Sequence, residues 1–544
     1  MEDASRHAKE TGRVTMPSPR SAGHAEGDDD LISALDDDVL LRILESVAEA
    51  GMGDVVRTGA LSQRWRGLWA RVPALRFASW PEFKSAAAVE RFIAIVDGVL
   101  ALRARSTDAG VRHLEISLRA YRARDEEQLV LQSVGAAERW IRHAVQHGVA
   151  SLFLRLRLPP KECQDDDDDG WDDYDDDGNE RPVMALDELP GSAKLETMHL
   201  ALAGARLRLP ATVTLESLVD LTLQWISVAA GSEDLLARLL SPACCPRLQK
   251  LCMWNIGGLR TLSLDAGELL ELSLDHIAEL EKLELRTPKL QVLQIEFCMH
   301  LKVLMVSAPR LEELSFLDNP SNVYFHGDLP CVRSLKFEIL SHGALDDDGF
   351  DGTTVSLLKR CTSARDLVVV LDVPPREDRR FELIKHGMPQ LPHVTSLAVH
   401  VYEDELHSVG DGVAGLLTRF KNLIYLSIQS VNDDVNQSVN DDVKKQDFIC
   451  DHPDHWKSND ISLAHLQEAE FIGFAGTECE LRFLQFVLAS AKDLRKLVVR
   501  FNVEYSLVGR RENVERMLLE GGTWATCCDG NESYEWRLGS CSQE

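Results

Sequence analysis

Few groupings of residues in this chain could do covalent chemistry. The best metal candidate is Cys450-Asp451-His452-Pro453-Asp454-His455. Cys450, His452 and His455 are zinc-ligand types, but a closed zinc site takes four ligands and no fourth stands nearby. The segment is read as a polar loop, and no metal is assigned. Trp65 and Trp69 stand one helical turn apart, a spacing that could stack a sugar or a flat cofactor. On an apolar helical face they are read instead as core or protein interface, and no cofactor is assigned. The phosphate-cradling G-x-x-x-x-G-K-[ST] and G-x-G-x-x-G patterns are absent, as are H-E-x-x-H and G-x-S-x-G. Acidic pairs are so numerous that none stands out as a general acid and base. No catalytic residue is named, and a non-catalytic protein is expected.

The charge balance narrows the partners. The 544 residues carry 59 Lys and Arg against 88 Asp and Glu, a formal net charge of −29. A nucleic-acid binder needs a cationic face to replace phosphate counterions, so none is expected. Anionic lipid is disfavoured for the same reason. Part of the excess is local: residues 165–180 hold eleven acids and no base. Such density cannot pack, and 163–181 is read as a disordered acidic loop. No run of about 18 apolar residues is present, so no membrane span is expected. The polar, acidic start Met1-Glu2-Asp3 is unlike a secretory signal. The twelve cysteines are scattered without a C-x-x-C pair and are read as reduced thiols, in cytoplasm or nucleus. Cys252, Cys298 and Cys331 follow apolar positions and are expected as small core residues.

With 44% hydrophobic residues, the chain must bury a large core, and its elements follow from periodicity. Residues 1–27 read as a disordered lead-in. Residues 28–77 read as a small helical unit. Val39, Leu40, Ile43, Leu44 and Val47 line one face of its first helix. Val55 and Val56 mark a second. Leu61, Trp65, Leu68 and Trp69 mark a third, which Pro73 ends. Two further amphipathic helices are expected over 86–105 and 136–147.

From there the pattern apolar-x-x-apolar-x-apolar recurs. It is densest from Leu259-Leu262-Leu264 through Leu311-Leu314-Phe316, with starts at 259, 269, 280, 290, 301 and 311. Two such steps make about 21 residues, within the 20–29 of a leucine-rich coil. A short strand cannot bury its apolar face alone, and stacking on the next coil buries it. The half-period predicts strands on both flanks of each coil, with turns at Thr287-Pro288 and Ala308-Pro309 between. Ser263, Ser273, Glu284, Gln294, Met305 and Ser315 are then expected to point outward. Residues 430–447 read as a loop insertion around a doubled Val-Asn-Asp-Asp-Val. It lacks the glycine and terminal glutamate of a calcium loop.

Two stretches carry a family resemblance. Residues 30–40 (DLISALDDDVL), 58–69 (TGALSQRWRGLW) and Val72-Pro73-Ala74-Leu75 resemble an F-box. That family usually has Leu-Pro at the first contact, whereas Leu35 is followed here by Asp36. Residues 452–456, then Leu463, Leu466, Phe471, Gly473, Phe474, Gly476, Glu478, Glu480, Leu481, Phe486, Ala489, Ala491, Leu494 and Leu497, resemble the FBD module. F-box, leucine-rich repeats and FBD in that order are similar to the plant F-box/LRR family.

The resemblance implies an α/β fold: a small N-terminal helical F-box (28–77), then a leucine-rich repeat solenoid (78–450) that is α/β horseshoe-like. An FBD-like module (451–501) and a poorly ordered tail (502–544) follow. It also implies a substrate-recognition subunit of an SCF-type cullin-RING ubiquitin ligase. The F-box would bind a Skp-type adaptor, and the LRR/FBD region would bind a protein substrate for ubiquitination. The adaptor-facing and core set it implies is Leu35, Val39, Leu40, Ile43, Leu44, Leu61, Trp65, Leu68 and Trp69; sequence does not sort contact from core within it. Asp36 motivates a second reading, a leucine-rich interaction scaffold that is not ligase-coupled.

Overall fold

The computed structural model describes residues 35–48, 52–79, 85–105, 110–119, 126–158, most of 182–339, 352–373, 388–403, 409–431, most of 457–502, 522–526 and 533–538. The lead-in 1–27, the acidic run 165–180, residues 432–447 and the segment 450–455 lie outside the described residues.

The densest leucine block folds as its half-period predicts. Glu271–Asp275 pairs in parallel with Lys250–Gly257 on one side and Val292–Glu296 on the other. Glu313–Leu317 and Ser334–Ile339 extend the same sheet. A second, four-stranded sheet holds Thr261–Asp265, Lys282–Arg286, Val303–Ser307 and Tyr324–His326. Successive triplets therefore alternate between two sheets. Leu272 faces Leu293, and Leu283 faces Leu304, so one coil spans 21 residues. Both leucines of each L-x-L ending are buried, as at Leu262, Leu264, Leu283 and Leu285. Thr287 and Ala308 turn the chain between sheets, and Thr287 N donates to Ser307 O of the next coil at 3.1 Å.

The opposite corners carry a second ladder. Asn255, His276, Phe297 and Asp318 recur at that same coil spacing and all adopt positive φ, between 48° and 54°. Left-handed backbone suits Asn, Asp and His but strains a phenylalanine. Their amides stay paired: His276 N donates to Glu296 O, and Phe297 N to Leu317 O, each at 3.1 Å.

On either side of this block, helices take the place of the second sheet. The described residues begin with α1 (Asp37–Ala48), α2 (Met52–Thr58), α3 (Gln63–Leu68) and a 3-10 turn, Trp69–Arg71. Next come α4 (Ala86–Arg105) and α5 (Glu126–Gln146), where α5 starts well before residue 136. Buried Leu129 and Val134 hold its first turns, but exposed Leu131 between them blurs the apolar face. Trp140 locks α5 to α4, with its Nε1 donating to Asp97 Oδ1 at 2.7 Å and its ring edge-on to Phe92. Beyond them lie α6 (Glu233–Leu239), α7 (Gly352–Arg360), α8 (Val409–Leu417) and α9 (Glu478–Ala489), each between two main-sheet strands. The main sheet is 19-stranded among the described residues. The helical unit joins it directly: Ala74–Ala78 pairs in parallel with His113–Arg119. A domain boundary at residue 77 thus falls inside a strand, because A-L-R-F-A after Pro73 alternates apolar and polar.

Several side chains depart from their expected places. Cys298 is buried, but Cys252 is half-buried on the outward side of its strand, beside Ser273, and Cys331 is exposed. Following an apolar residue does not make a position inward when strands alternate. Ser315 points outward yet is buried, its Oγ donating to Glu296 Oε1 at 2.7 Å. The tail holds a hairpin: Gly522–Thr526 pairs with Ser533–Leu538, which runs antiparallel to Lys496–Phe501 and closes that edge of the sheet. Tyr534 and Trp536 are its buried side, a period of two too short to stand out among glycines and cysteines.

The Gly-Glu pattern of the C-terminal stretch has a local physical cause. Gly473 has φ +80°, and a Cβ there would lie 2.3 Å from Ser430 O of the preceding strand. Gly476, at φ +87°, leads into Thr477, the N-cap of α9. Glu480 Oε2 accepts from Gly476 N, Thr477 N and Thr477 Oγ1 at 2.7–2.9 Å, and Thr477 Oγ1 accepts from Glu480 N, a capping box. Glu480→Ala is expected to destabilise the chain by about 1–3 kcal/mol by orphaning those donors. Thermal unfolding reads this, and Glu480→Gln, which keeps one acceptor oxygen, should recover part of the loss.

Candidate functional site

The N-terminal helical unit is built around a small interior. Leu40, Leu44 and Ala48 of α1, Met52 and Val55 of α2, and Trp65, Leu68 and Val72 further on are buried. Leu35, Leu41, Val47 and Trp69 are half-buried and pack against that core. The unit also leans on α4: the buried Arg103 donates from Nη1 to Ala70 O of the 3-10 turn.

This sorts the residues that sequence left together. Leu40, Leu44, Trp65 and Leu68 are core, so they hold the shape of the unit and are not free to touch a partner. Val39, Ile43 and Leu61 are exposed, at 40, 38 and 69%. Val39 and Ile43 lie one turn apart on the same face of α1. Leu61 does not sit on the third helix with Trp65. Ser62 has extended backbone, φ −161° and ψ 170°, and starts α3, so Leu61 projects from the turn before it. Val56 of α2, which sequence assigns to the second helix but not to the adaptor-facing set, is likewise exposed, at 43%. With Val55 and Val56 adjacent, only one of the pair could turn inward.

A polar clamp fixes the start of α1 beside that surface. Arg64 Nε and Nη2 donate to Asp37 Oδ1 at 2.8 and 2.6 Å, and Nη2 also donates to Leu35 O at 2.6 Å. Arg71 Nη1 reaches Asp37 Oδ2 at 3.3 Å. Sequence offered Asp37 only as one of three adjacent acids. Asp36 itself is exposed, and its carbonyl accepts from Val39 N and Leu40 N. A proline there would present the same carbonyl, so the helix start does not depend on which residue occupies this position.

Among the described residues, no group of three or more His, Cys, Asp or Glu is gathered as metal ligands. Burial pushes the Cys245, Cys298 and Cys361 thiols up to about 12, which keeps them from being thiolate nucleophiles at neutral pH. No helix among the described residues is long and apolar enough to cross a membrane.

No family model matches the chain. It is similar to an Arabidopsis thaliana protein that carries the name F-box/FBD/LRR-repeat protein. The two are 24% identical over 484 residues, which span 85% of this chain and 86% of that protein. At this distance the likeness supports the F-box/FBD/LRR family, and the mostly parallel α/β sheet is compatible with a leucine-rich repeat fold.

Sorting core from surface has a measurable consequence. Leu44→Ala should cost about 2–5 kcal/mol, as a buried leucine truncation does. Ile43→Ala, one residue away but exposed, should stay within about 0.5 kcal/mol. Thermal or denaturant unfolding compares the two, and equal losses would contradict the assignment.

Proposed function

We propose that this chain is the substrate-recognition subunit of an SCF-type cullin-RING ubiquitin ligase. The N-terminal helical unit binds a Skp-type adaptor, and the repeat and FBD-like regions hold a protein substrate. The chain does no covalent chemistry itself. It raises the effective concentration of substrate lysines near the transfer site, which converts a bimolecular encounter into a tethered one. It works in cytoplasm or nucleus.

One observation carries the reading: a helical unit that resembles an F-box leaves Val39, Ile43, Val56 and Leu61 uncovered while its own core is filled. A small unit with surplus exposed apolar surface favours helix-in-groove contact with a partner. The distant F-box/FBD/LRR relative supports the same conclusion. Asp36, in place of the usual proline, favours a second reading, an interaction scaffold without ligase coupling.

Capture of a purified Skp-type adaptor by the full chain separates the two. Val39→Asp with Ile43→Asp and Leu61→Asp should weaken capture by about tenfold or more, since charge is buried without a partner. These exposed positions leave the fold intact, whereas Leu40→Ala with Trp65→Ala would hollow the core. A wild-type chain that captures no adaptor while still holding a protein partner would select the scaffold.

A further inference from the structure

Four aromatic side chains form a continuous stack along the corner where main-sheet strands end. Trp225 packs on Trp254 with centroids 4.4 Å apart, Trp254 meets His276 edge-on at 6.3 Å, and His276 stacks on Phe297 at 4.3 Å. Phe297 is exposed, Met299 beyond it is exposed, and the other three rings are half-buried. Trp225, His276 and Phe297 all hold positive φ. That conformation carries a steric cost for a tryptophan or phenylalanine, and here it turns rings outward that could otherwise join a core.

Carboxylates run beside the stack. In the register of the sheet, Trp254 faces Asp275, and Asp275 faces Glu296. Like charges directly opposite on neighbouring strands repel. No lysine or arginine relieves the pair among the described residues: Asp275 Oδ1 lies 2.5 Å from His276 Nδ1, and Glu296 accepts from Ser315 Oγ. Other acids extend the same edge. Glu279 accepts from Gly258 N, and Glu338 accepts from Asp318 N. Arg260 is paired with Glu279 at 3.8 Å, Arg206 faces Ser227 on the strand that carries Trp225, and Lys336 faces Ser315. Arg155 and Arg157 lie on a strand separated from that of Trp225 by one other, and Asp275 and Glu296 lie two and three strands beyond Trp225, so the carboxylate pair sits away from those bases.

We propose that Trp225, Trp254, His276 and Phe297, with Asp275 and Glu296, form the docking edge for an extended arginine-rich segment of a partner protein. Guanidinium planes stack on aromatic faces while their charge meets carboxylates, and the combination suits arginine better than lysine. The net charge of −29 attracts a basic segment and repels nucleic acid, which selects between those two partner classes. The proposal deepens the receptor reading above by naming the substrate class, and binding at this edge does not itself require the adaptor.

The test titrates the full chain into a fluorescein-labelled peptide of alternating arginine and serine, with a glutamate-serine peptide as control, and reads anisotropy. Saturable binding of the basic peptide alone is expected. Asp275→Asn with Glu296→Gln should weaken it about tenfold or more while leaving the unfolding temperature unchanged or raised, because a repulsive pair is removed. Phe297→Ser should weaken it in the same direction. Deleting residues 165–180 removes the other acidic tract and should leave binding in place. Binding that vanishes with that deletion, or that survives both edge variants, overturns the proposal, as does no binding at all. Adaptor capture is measured on the same samples: an adaptor-competent chain that ignores the peptide sinks only this inference, and the reverse result sinks only the ligase reading.

Discussion

Leucine stacked on leucine between adjacent coils is the contact on which the rest depends. A strand of five residues buries nothing by itself, but Leu272 against Leu293 and Leu283 against Leu304 build one interior shared by both sheets. Burying each such side chain contributes about 1.5–3 kcal/mol, and every coil brings several. Ion pairs follow the same spacing, such as Lys250 with Glu271, Lys289 with Glu268 and Lys302 with Glu281, but they sit in solvent and contribute little. Apolar burial therefore sets the register, and the charges decorate it. Outward positions stay free to carry recognition because stability does not rest on them.

The same stacking explains how the N-terminal unit is held. Its core is small, with two tryptophans of which only Trp65 is buried. A unit of that size gains by leaning on a larger neighbour. It does so through the strand Ala74–Ala78, which joins the main sheet, and through Arg103 on the turn before it. The result is an apolar helical surface fixed to one end of a long sheet. A receptor of the proposed kind needs that fixed relation, because tethering helps only when the tether sets a distance. The aromatic and acidic edge lies in the central coils of the same sheet, so it and the exposed apolar face of the N-terminal unit occupy different parts of the chain.

Much of the fold was legible from residue spacing, and the failures are informative. The L-x-x-L-x-L triplets marked the strands, and their half-period marked the second sheet. The helices over 37–48 and 86–105 follow apolar faces of ordinary periodicity. Leu61 was grouped with Trp65 because four residues fit a helical turn; Ser62, extended at the helix start, breaks that continuity. Cys252 faces outward rather than into the core because the facing of a strand residue depends on register, and Ser315 faces outward as its spacing predicts but is covered by its bond to Glu296. The hairpin of Gly522–Thr526 and Ser533–Leu538 was missed because its pairing is with Lys496–Phe501, a partner no local window contains.

Of the candidate site, spacing delivered the membership and not the roles. The apolar residues of the first fifty described positions are visible in the chain as a list, since helical periodicity is a local property. Which of them a partner could touch is not local. Leu40 and Val39 are neighbours of similar chemistry, and only the packing of α2, α3 and the strand Ala74–Ala78 against one side of α1 makes one core and the other surface. The aromatic edge is the same lesson at longer range. Trp225, Trp254, His276 and Phe297 share no short motif, and they meet because parallel coils bring residues 21 or more positions apart into van der Waals contact. Local chemistry determined the strands, the helices and the acidic balance; tertiary stacking decided which faces remain open, because exposure is a property of neighbours that the chain supplies from elsewhere.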